Sequence, residues 1–573
     1  MPQTTPTAGT LPPQPAAGAA VGGAAAGPRS DWIWAVFLSL GSTVLFLFSN
    51  SVQYGDAAMY AKNIGAGTLL EPGHLLWRPL GYAVATLIGV QHSDSGVLWV
   101  LQACSLLFSA LAVGAMYLFL RRAAGCTPFA AGVAAGLLAV SNGFWTYSFS
   151  GCSYSLSVLL LIAAMGCATC TQRPVAAGRA LLAGALAGAA VSAWATQVLS
   201  LPALLVLLLM TPPWQPSQWR LHRRNALALA GGGMLTFLLP LLAAYSWHLA
   251  HQPPPPGGAA GFGAWTASAA HGVPPHFSLA QVLRVTIGWP QSLLSMLNLG
   301  QGLRLWSLHE GSFPWSVWML SPLVVYALTA YCAYRLLRSF RRQPHFAQAM
   351  IIACAVAIAA NLLFALLWQG TDLERYFPSL PFQLLLLALA LQGMAIGRLA
   401  RAALVVALGC IAWVNWHAAF LTVLSGDSHR QVWLRELRRA ADGRDLLVVL
   451  GQSKLAVTAP HDAQMPRIDN LVLEVRTRGA GWKAAVLQNM ATTVQHGGRV
   501  FLGDSLFDGE VARRDGWSFR EYPSPSMQQI QSTFLPFKSD TVAFTAGGER
   551  VWLAQKAAMA DPEEHPASPG AIR

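Results

Sequence analysis

The stretch Trp32-Ile33-Trp34-Ala35-Val36-Phe37-Leu38-Ser39-Leu40-Gly41-Ser42-Thr43-Val44-Leu45-Phe46-Leu47-Phe48-Ser49-Asn50-Ser51-Val52 carries no charge and runs directly into Tyr54-Gly55-Asp56-Ala57-Ala58-Met59-Tyr60. It is about as long as a helix must be to cross a hydrocarbon core. Its flanks lack the basic start and small-residue cleavage site of a signal peptide, so it reads as a retained membrane helix. Asp56 then stands at a membrane boundary, in a region nearly emptied of acids. Up to Ser425 the Asp and Glu residues are Asp31, Asp56, Glu71, Asp94, Glu310, Asp372 and Glu374, while 17 of the 24 acids follow Gly426. That scarcity marks Asp56 as a candidate catalytic carboxylate.

Outward from this run the same pattern recurs. Charged residues make up 11% of the chain and hydrophobic ones 54%, against roughly a quarter charged in a soluble domain. The chain is therefore an α-helical polytopic membrane protein. Further apolar runs span residues 96–120, 127–147, 153–172, 180–195, 197–211, 226–249, 316–338, 347–368, 377–397 and 402–424, giving eleven crossings in all. Two of them, 180–195 and 197–211, are short and are separated by Ala193-Trp194-Ala195-Thr196-Gln197, a poor turn, so one bent helix is the alternative there.

Charge argues against the bent helix. With eleven crossings and a cytoplasmic N-terminus, the inner loops carry Arg121, Arg122, Arg173, Arg179, Arg220, Arg223, Arg224, Arg335, Arg338, Arg341, Arg342, Arg398 and Arg401. The outer loops carry Lys62, Arg78, Arg284, Arg304 and Arg375. Thirteen against five obeys the positive-inside rule, and counting two helices as one would move Arg335 to Arg342 outside. The same topology puts Asp56, Glu71, Asp94, Glu310, Asp372 and Glu374 on the outer face. The net charge of +13 is a property of these loops rather than of a nucleic-acid-binding face, since the first 426 residues hold 19 basic and 7 acidic side chains and the remainder 18 and 17.

Residues 1–30 are mostly Pro, Ala, Gly and Thr, with one Arg and no apolar core, and are expected to be a disordered cytoplasmic segment. Residues 31–425 form the membrane domain. Its long outer loops, 53–95 and 250–315, exceed what a simple connection needs. Within the first, Leu80 to Val90 is apolar but too short to cross and is expected to lie at the interface as a short helix. After Gly426 the chain becomes evenly charged. Residues 445–451, 471–475, 499–504 and 550–554 read as short strands, and 430–441 and 482–496 as helices. This predicts a small outer-face α/β domain over 427–559, followed by a disordered tail, 560–573. Gly451-Gln452-Ser453-Lys454 lacks the spacing of a phosphate-cradling loop. The eight cysteines all precede this domain, and Cys167 and Cys170, one turn apart on an apolar helix, read as packing.

Two segments carry a resemblance. Gly55-Asp56-Ala57-Ala58-Met59-Tyr60 followed by Glu71-Pro72-Gly73-His74-Leu75-Leu76-Trp77-Arg78-Pro79-Leu80-Gly81-Tyr82 resembles the opening of the GT-C superfamily of integral membrane glycosyltransferases. Asp372-Leu373-Glu374-Arg375-Tyr376-Phe377-Pro378-Ser379-Leu380-Pro381-Phe382 is similar to the E-R-Y-x-x-P-x-x-P segment of its protein-mannosyltransferase and aminoarabinose-transferase branch. The resemblance covers roughly residues 30–425 and leaves the C-terminal domain unexplained.

What it implies is inverting transfer of a sugar from a polyprenyl-phosphate donor to an acceptor hydroxyl on the outer face. The acceptor would be a glycan, a glycolipid or a protein. Asp56 is the expected general base, because an acceptor hydroxyl is a poor nucleophile until a carboxylate takes its proton. Arg375 is expected on the leaving lipid phosphate, with His74, Arg78 and Lys62 as further donors. Glu374, Tyr376, Glu71 and Tyr60 are expected to support the site. Glu374 reads either as a local ion pair orienting Arg375 or as a catalytic acid.

Many members of the superfamily carry an acid in the next outer loop, and some use one there to bind a metal. Residues 141–154 of this chain contain none. A hard divalent cation wants carboxylate oxygens, so metal-independent transfer without a cofactor is expected. The location expected is a bacterial cytoplasmic membrane, since the chain has no Asn-x-Ser/Thr sequon. Two other classes compete, a transporter or flippase of a lipid-linked saccharide and a non-catalytic envelope assembly protein. No charged residue falls in the middle of an apolar run, where an ion-coupled carrier would place one.

Overall fold

The structure is a computed structural model and describes residues 28–48, 57–65, 67–90, 94–169, 175–210, 219–251, 261–268, 277–294, 315–368, 370, 372–392, 397–416, 429–450, 465–471, 474–475, 481–514, 525–546 and 548–555. The expectations for residues 1–27, Asp56, Cys170, Arg173, Arg304, Glu310 and 560–573 fall outside these residues.

Each of the eleven apolar runs contains a helix. In chain order these are α1 (Pro28–Leu47), then two outer-loop helices α2 (Ala57–Gly65) and α3 (Trp77–Leu87), then α4 (Asp94–Leu118) and α5 (Pro128–Val140). The short α6 (Asn142–Tyr147) precedes α7 (Tyr154–Ala168), α8 (Ala177–Ala193) and α9 (Leu201–Met210). The seventh run is α10 (Trp219–Gly233) continued through a π turn into α11 (Leu239–His251). Next come α12 (Phe262–Ser268), α13 (Leu279–Leu293), α14 (Trp315–Ser339), α15 (His345–Leu367), α16 (Leu380–Gln392) and α17 (Arg398–Asn415). Five helical spans among the described residues, 29–47, 96–123, 219–250, 345–367 and 398–415, are long and apolar enough to cross a bilayer. Large apolar side chains such as Ile33, Phe37, Leu399 and Val406 lie exposed along these helices. Such faces are stable only where the solvent is itself hydrocarbon. The protein is a multi-pass membrane protein.

Two details of this half depart from the sequence reading. The run 127–147 is divided: α5 starts on Thr127, whose hydroxyl accepts from Ala130 N, and stops at the extended Ser141, whose hydroxyl donates to the Leu138 carbonyl at 2.9 Å. The residues beyond it form α6. The long loop 250–315 is also not simply a loop, because α13 packs against α6, α15 and the segment around Arg375. Its start is capped by Ser278, whose hydroxyl accepts from Gln281 N.

The 180–211 region is two helices. The start of α8 is fastened to the end of α7 by Arg179 Nη2, which donates to the Gly166 and Thr169 carbonyls at 3.0 and 3.1 Å. Its end lies beside the start of α7, so the two run antiparallel. Trp194 is extended, a 3₁₀ turn (Ala195–Ser200) follows, and Gln197 Nε2 donates to Ser157 Oγ at 3.1 Å in the first turn of α7. Helix α9 follows, and the helix after it, α10, starts back at the far end, where Asn225 Nδ2 donates to the Val175 carbonyl at 2.5 Å. The chain therefore reverses at Trp194, as the distribution of arginines requires.

The bundle has two chemically distinct ends. At one end Arg121 Nε donates to Asp31 Oδ1 at 2.9 Å, Arg122 lies over Trp32 and Arg401 over Phe129. These are residues assigned to inner loops. The other end collects the loops bearing Glu71, His74, Arg78, Glu374 and Arg375.

The C-terminal part is a separate five-stranded mixed sheet in the order β2-β1-β3-β5-β4, with β1 (Leu446–Val449), β2 (Arg467–Asn470), β3 (Val500–Gly503), β4 (Lys538–Ala546) and β5 (Glu549–Ala554). β1 is parallel to β2 and β3, whereas β5 is antiparallel to β3 and β4. Helices α18 (His429–Ala440) and α19 (Trp482–Gln495) match the predicted pair, and α20 (Gly509–Arg514) and α21 (Met527–Phe534) follow. The strand expected at 471–475 is instead β2, just before it. In Arg467-Ile468-Asp469-Asn470 only Ile468 is apolar, and the buried Asp469 accepts from Asn489 Nδ2 at 2.7 Å. A strand whose polar side chains are satisfied by a neighbouring helix shows no alternation to detect. The edge strand β4 escaped the sequence reading because most of its residues are exposed and show no alternation of buried and exposed positions.

Candidate active site

The first outer loop is folded around His74. Its Nε2 lies 2.8 Å from the Tyr60 hydroxyl, and its Nδ1 lies 3.1 Å from both Ser153 Oγ and the Ala193 carbonyl. A carbonyl can only accept, so Nδ1 carries a proton. One imidazole thus ties α2 to the start of α7 and the end of α8. Backbone bonds reinforce the seam, with Leu76 N donating to the Ser192 carbonyl at 2.9 Å and Ala195 N to the Gly73 carbonyl at 3.1 Å. Arg78 is buried, bonded to Glu71 and lying over the Tyr60 ring with its guanidinium carbon 5.4 Å from the centroid.

Helix α2 presents Ala57, Tyr60, Ala61 and Ile64 to the protein, at the i, i+3, i+4, i+7 spacing of one face. Lys62 is on the exposed side. Ala57, the residue after Asp56, is fully buried against Gly151, where a Cβ would come within 3.2 Å of the Ala57 Cβ. Gly151 has φ +85°, a conformation that disfavours any side chain, and its carbonyl accepts from Trp77 Nε1 at 3.0 Å.

The same loop reaches the second segment. Tyr147 Oη donates to Glu374 Oε2 at 2.7 Å. The Tyr147 and Tyr154 rings meet edge to face at 4.8 Å, and both contact Phe377, at 5.8 and 5.9 Å. Tyr154 also packs on Trp194, the reversal residue, at 5.0 Å. Burial first, and then the neighbouring Glu374 carboxylate, hold the Tyr147 phenol well above its ordinary range, so it remains a neutral donor.

Residues Leu373–Tyr376 form a 3₁₀ turn. Three residues per turn align positions i and i+3, and separate adjacent ones by about a third of a circle. Asp372, not Glu374, consequently faces Arg375, with Oδ2 3.7 Å from Nη2. The guanidinium also lies over Trp368, its carbon 5.0 Å from the ring centroid. Burial pulls the Arg375 pKa down, but Glu374 and Asp372 more than offset it, and the group is held charged. The Arg375 carbonyl accepts from Asn361 Nδ2 at 2.6 Å, and Asn361 Oδ1 accepts from Ser379. Tyr376 turns inward and donates to the Gly370 carbonyl at 2.5 Å. Among the described residues no three His, Cys, Asp or Glu side chains converge as metal ligands.

No family model and no curated protein sequence matches the chain. Solved structures do match. The chain aligns with ArnT from Cupriavidus metallidurans bound to undecaprenyl phosphate over 92% of its own length and 99% of that chain, with a TM-score of 0.53 at 12% identity. With ArnT from the same organism in the apo state the coverage is 93% and 99%, the TM-score 0.54 and the identity 13%. A more distant likeness, TM-score 0.43 at 12% identity over 89% of this chain and 72% of that one, is to the archaeal oligosaccharyltransferase AglB from Archaeoglobus fulgidus in complex with an inhibitory peptide and a dolichol-phosphate. The fold is that of the GT-C membrane glycosyltransferases.

Within this GT-C fold the expected site residues form two groups at one end of the bundle. Tyr60, Glu71, His74 and Arg78 make the first and Glu374, Arg375 and Tyr376 the second, joined by residues 147–154. His74 and Arg78 are built into internal bonds, a structural duty that the sequence did not separate from phosphate binding. Tyr147, Tyr154 and the helix α13 had no part in the sequence reading of the site. Of the two readings of Glu374, an ion pair with Arg375 or a catalytic acid, the first is not the close pair the 3₁₀ turn makes, since it is Asp372 Oδ2 that lies 3.7 Å from the guanidinium.

Proposed function

We propose that this protein is an inverting glycosyltransferase that moves a sugar from a polyprenyl-phosphate donor to an acceptor hydroxyl on the outer face of a bacterial cytoplasmic membrane. The observation that supports it most is the loop 147–154, which packs on the residue after Asp56 at one point and on Glu374 and Phe377 at another. A GT-C fold covering nearly the whole chain agrees with it.

In the reaction the acceptor oxygen attacks the anomeric carbon on the face opposite the phosphate. The new C–O bond forms as the bond to the phosphate oxygen breaks, its electron pair leaving on the lipid phosphate. The acceptor proton passes to Asp56. Arg375, charged and held over Trp368, stabilises the negative charge growing on the departing phosphate. Glu71, His74, Arg78 and Tyr60 hold the loop that carries the base, and Lys62 adds positive charge to its exposed side. Because the leaving group is already anionic and the loop 141–154 offers no carboxylate, the reaction needs no metal. The arginine-rich end faces the cytoplasm, and the C-terminal α/β domain lies outside.

The test is to supply purified protein with a panel of polyprenyl-phosphate sugars and membrane extract and to measure released polyprenyl phosphate. Release from one donor, undiminished by excess EDTA, is the expected result. No release from any donor would overturn the proposal.

A further inference from the structure

The 372–377 segment puts two carboxylates beside one guanidinium. Among the described residues of this segment Arg375 is positive, and Asp372 and Glu374 are negative. They are not equivalent. Asp372 is 38% exposed at its side chain, so water screens it and an incoming anion can displace it. Glu374 is 9% exposed. A carboxylate that deep, if it swung onto Arg375, would form a pair little screened by water and hard to break.

Oε2 of Glu374 is instead drawn to the Tyr147 hydroxyl at 2.7 Å, on the side of the turn that faces α6. Tyr147 is well placed to hold it there. Its ring is fixed edge to face by Tyr154 and Phe377, and its phenol stays protonated. The hydroxyl belongs to a different helix from the arginine, so this contact sets Glu374 independently of the 3₁₀ turn itself.

We infer that Tyr147 is a positioning residue that keeps the Glu374 carboxylate off Arg375, so that the guanidinium can take a phosphate monoester or diester of a polyprenyl lipid. The inference rests on the reading of Arg375 as the phosphate contact. Without the tyrosine hydroxyl, Glu374 turns to the nearest cation and competes with the ligand for it.

The competition makes a signed prediction. In nanodiscs holding the full chain, binding of undecaprenyl phosphate is measured with undecaprenol as the control that lacks the charge. Tyr147→Phe keeps the ring and its packing, and is expected to weaken the phosphate-dependent part of binding on the order of tenfold. Glu374→Gln is expected to bind at least as tightly as the unaltered protein. The double variant Tyr147→Phe/Glu374→Gln is expected to recover most of the loss, because the released side chain no longer carries charge. A merely structural tyrosine would leave the double variant as weak as the single one or weaker, and that result overturns the inference, as does unaltered binding in Tyr147→Phe. Arg375→Gln separates the two levels. If it loses phosphate-dependent binding while Tyr147→Phe does not, the inference fails and the reading of Arg375 stands. If Arg375→Gln binds normally, both fail together.

Discussion

His74 shows how a residue chosen for its chemistry can turn out to hold the site together. Its sequence position, in an outer loop a few residues from Arg78, fits a phosphate donor, and nothing in the sequence brings Ser153 or Ala193 to it. The structure gives it contacts to α2, α7 and α8 at once. Replacing it with alanine removes its bonds to the buried Tyr60 hydroxyl and to the Ala193 carbonyl. His74→Ala is expected to cost about 1–3 kcal/mol, read as a lower melting temperature of the detergent-solubilised protein. Unchanged melting would argue against the clamp. The segment around Arg375 could be singled out because its order of residues resembles one found in a known family. The direction of each side chain could not be read from it, since it depends on whether the turn winds with 3.0 or 3.6 residues.

At the scale of elements, the α8–α10 contact sets the height of the Trp194 reversal and hence of the Ala193 carbonyl. The two helices approach through glycine. A Cβ on Gly184 would lie 1.9 Å from the Leu229 carbonyl oxygen, and one on Gly232 would lie 2.1 Å from that of Leu181. Gly188, one turn beyond Gly184, would meet Thr236 Oγ1 at 2.3 Å and the Gly233 carbonyl oxygen at 2.8 Å. Small residues four apart are how helices in hydrocarbon gain contact, because no hydrophobic effect drives them together there. Gly188→Leu is therefore expected to destabilise the protein by about 1–3 kcal/mol and to lower turnover through the displaced reversal. A melting curve and a polyprenyl phosphate release assay check it together. Normal values in both would show that the contact is dispensable. The helices themselves were readable from apolar runs. The break at Ser141, the helix α13 and the strands β2 and β4 were not, because their signals are a cap, a seam with the rest of the bundle, a side-chain bond to a distant helix, and pairing at an exposed edge.

The whole molecule is asymmetric from end to end. Arginines gather with Asp31 at one end. At the other, three separate parts of the chain are linked through residues 147–154, which touch Ala57 at one point and Glu374 and Phe377 at another. That link joins residues about three hundred positions apart, which a fold can do and a local pattern cannot announce. The central claim is that Asp56 takes the acceptor proton. It is tested most directly by comparing the unaltered protein with Asp56→Asn, measuring undecaprenyl phosphate binding and the rate of polyprenyl phosphate release side by side. The account predicts retained binding with a rate lower by roughly 10²–10⁴-fold. Release at the unaltered rate would contradict it and require another base.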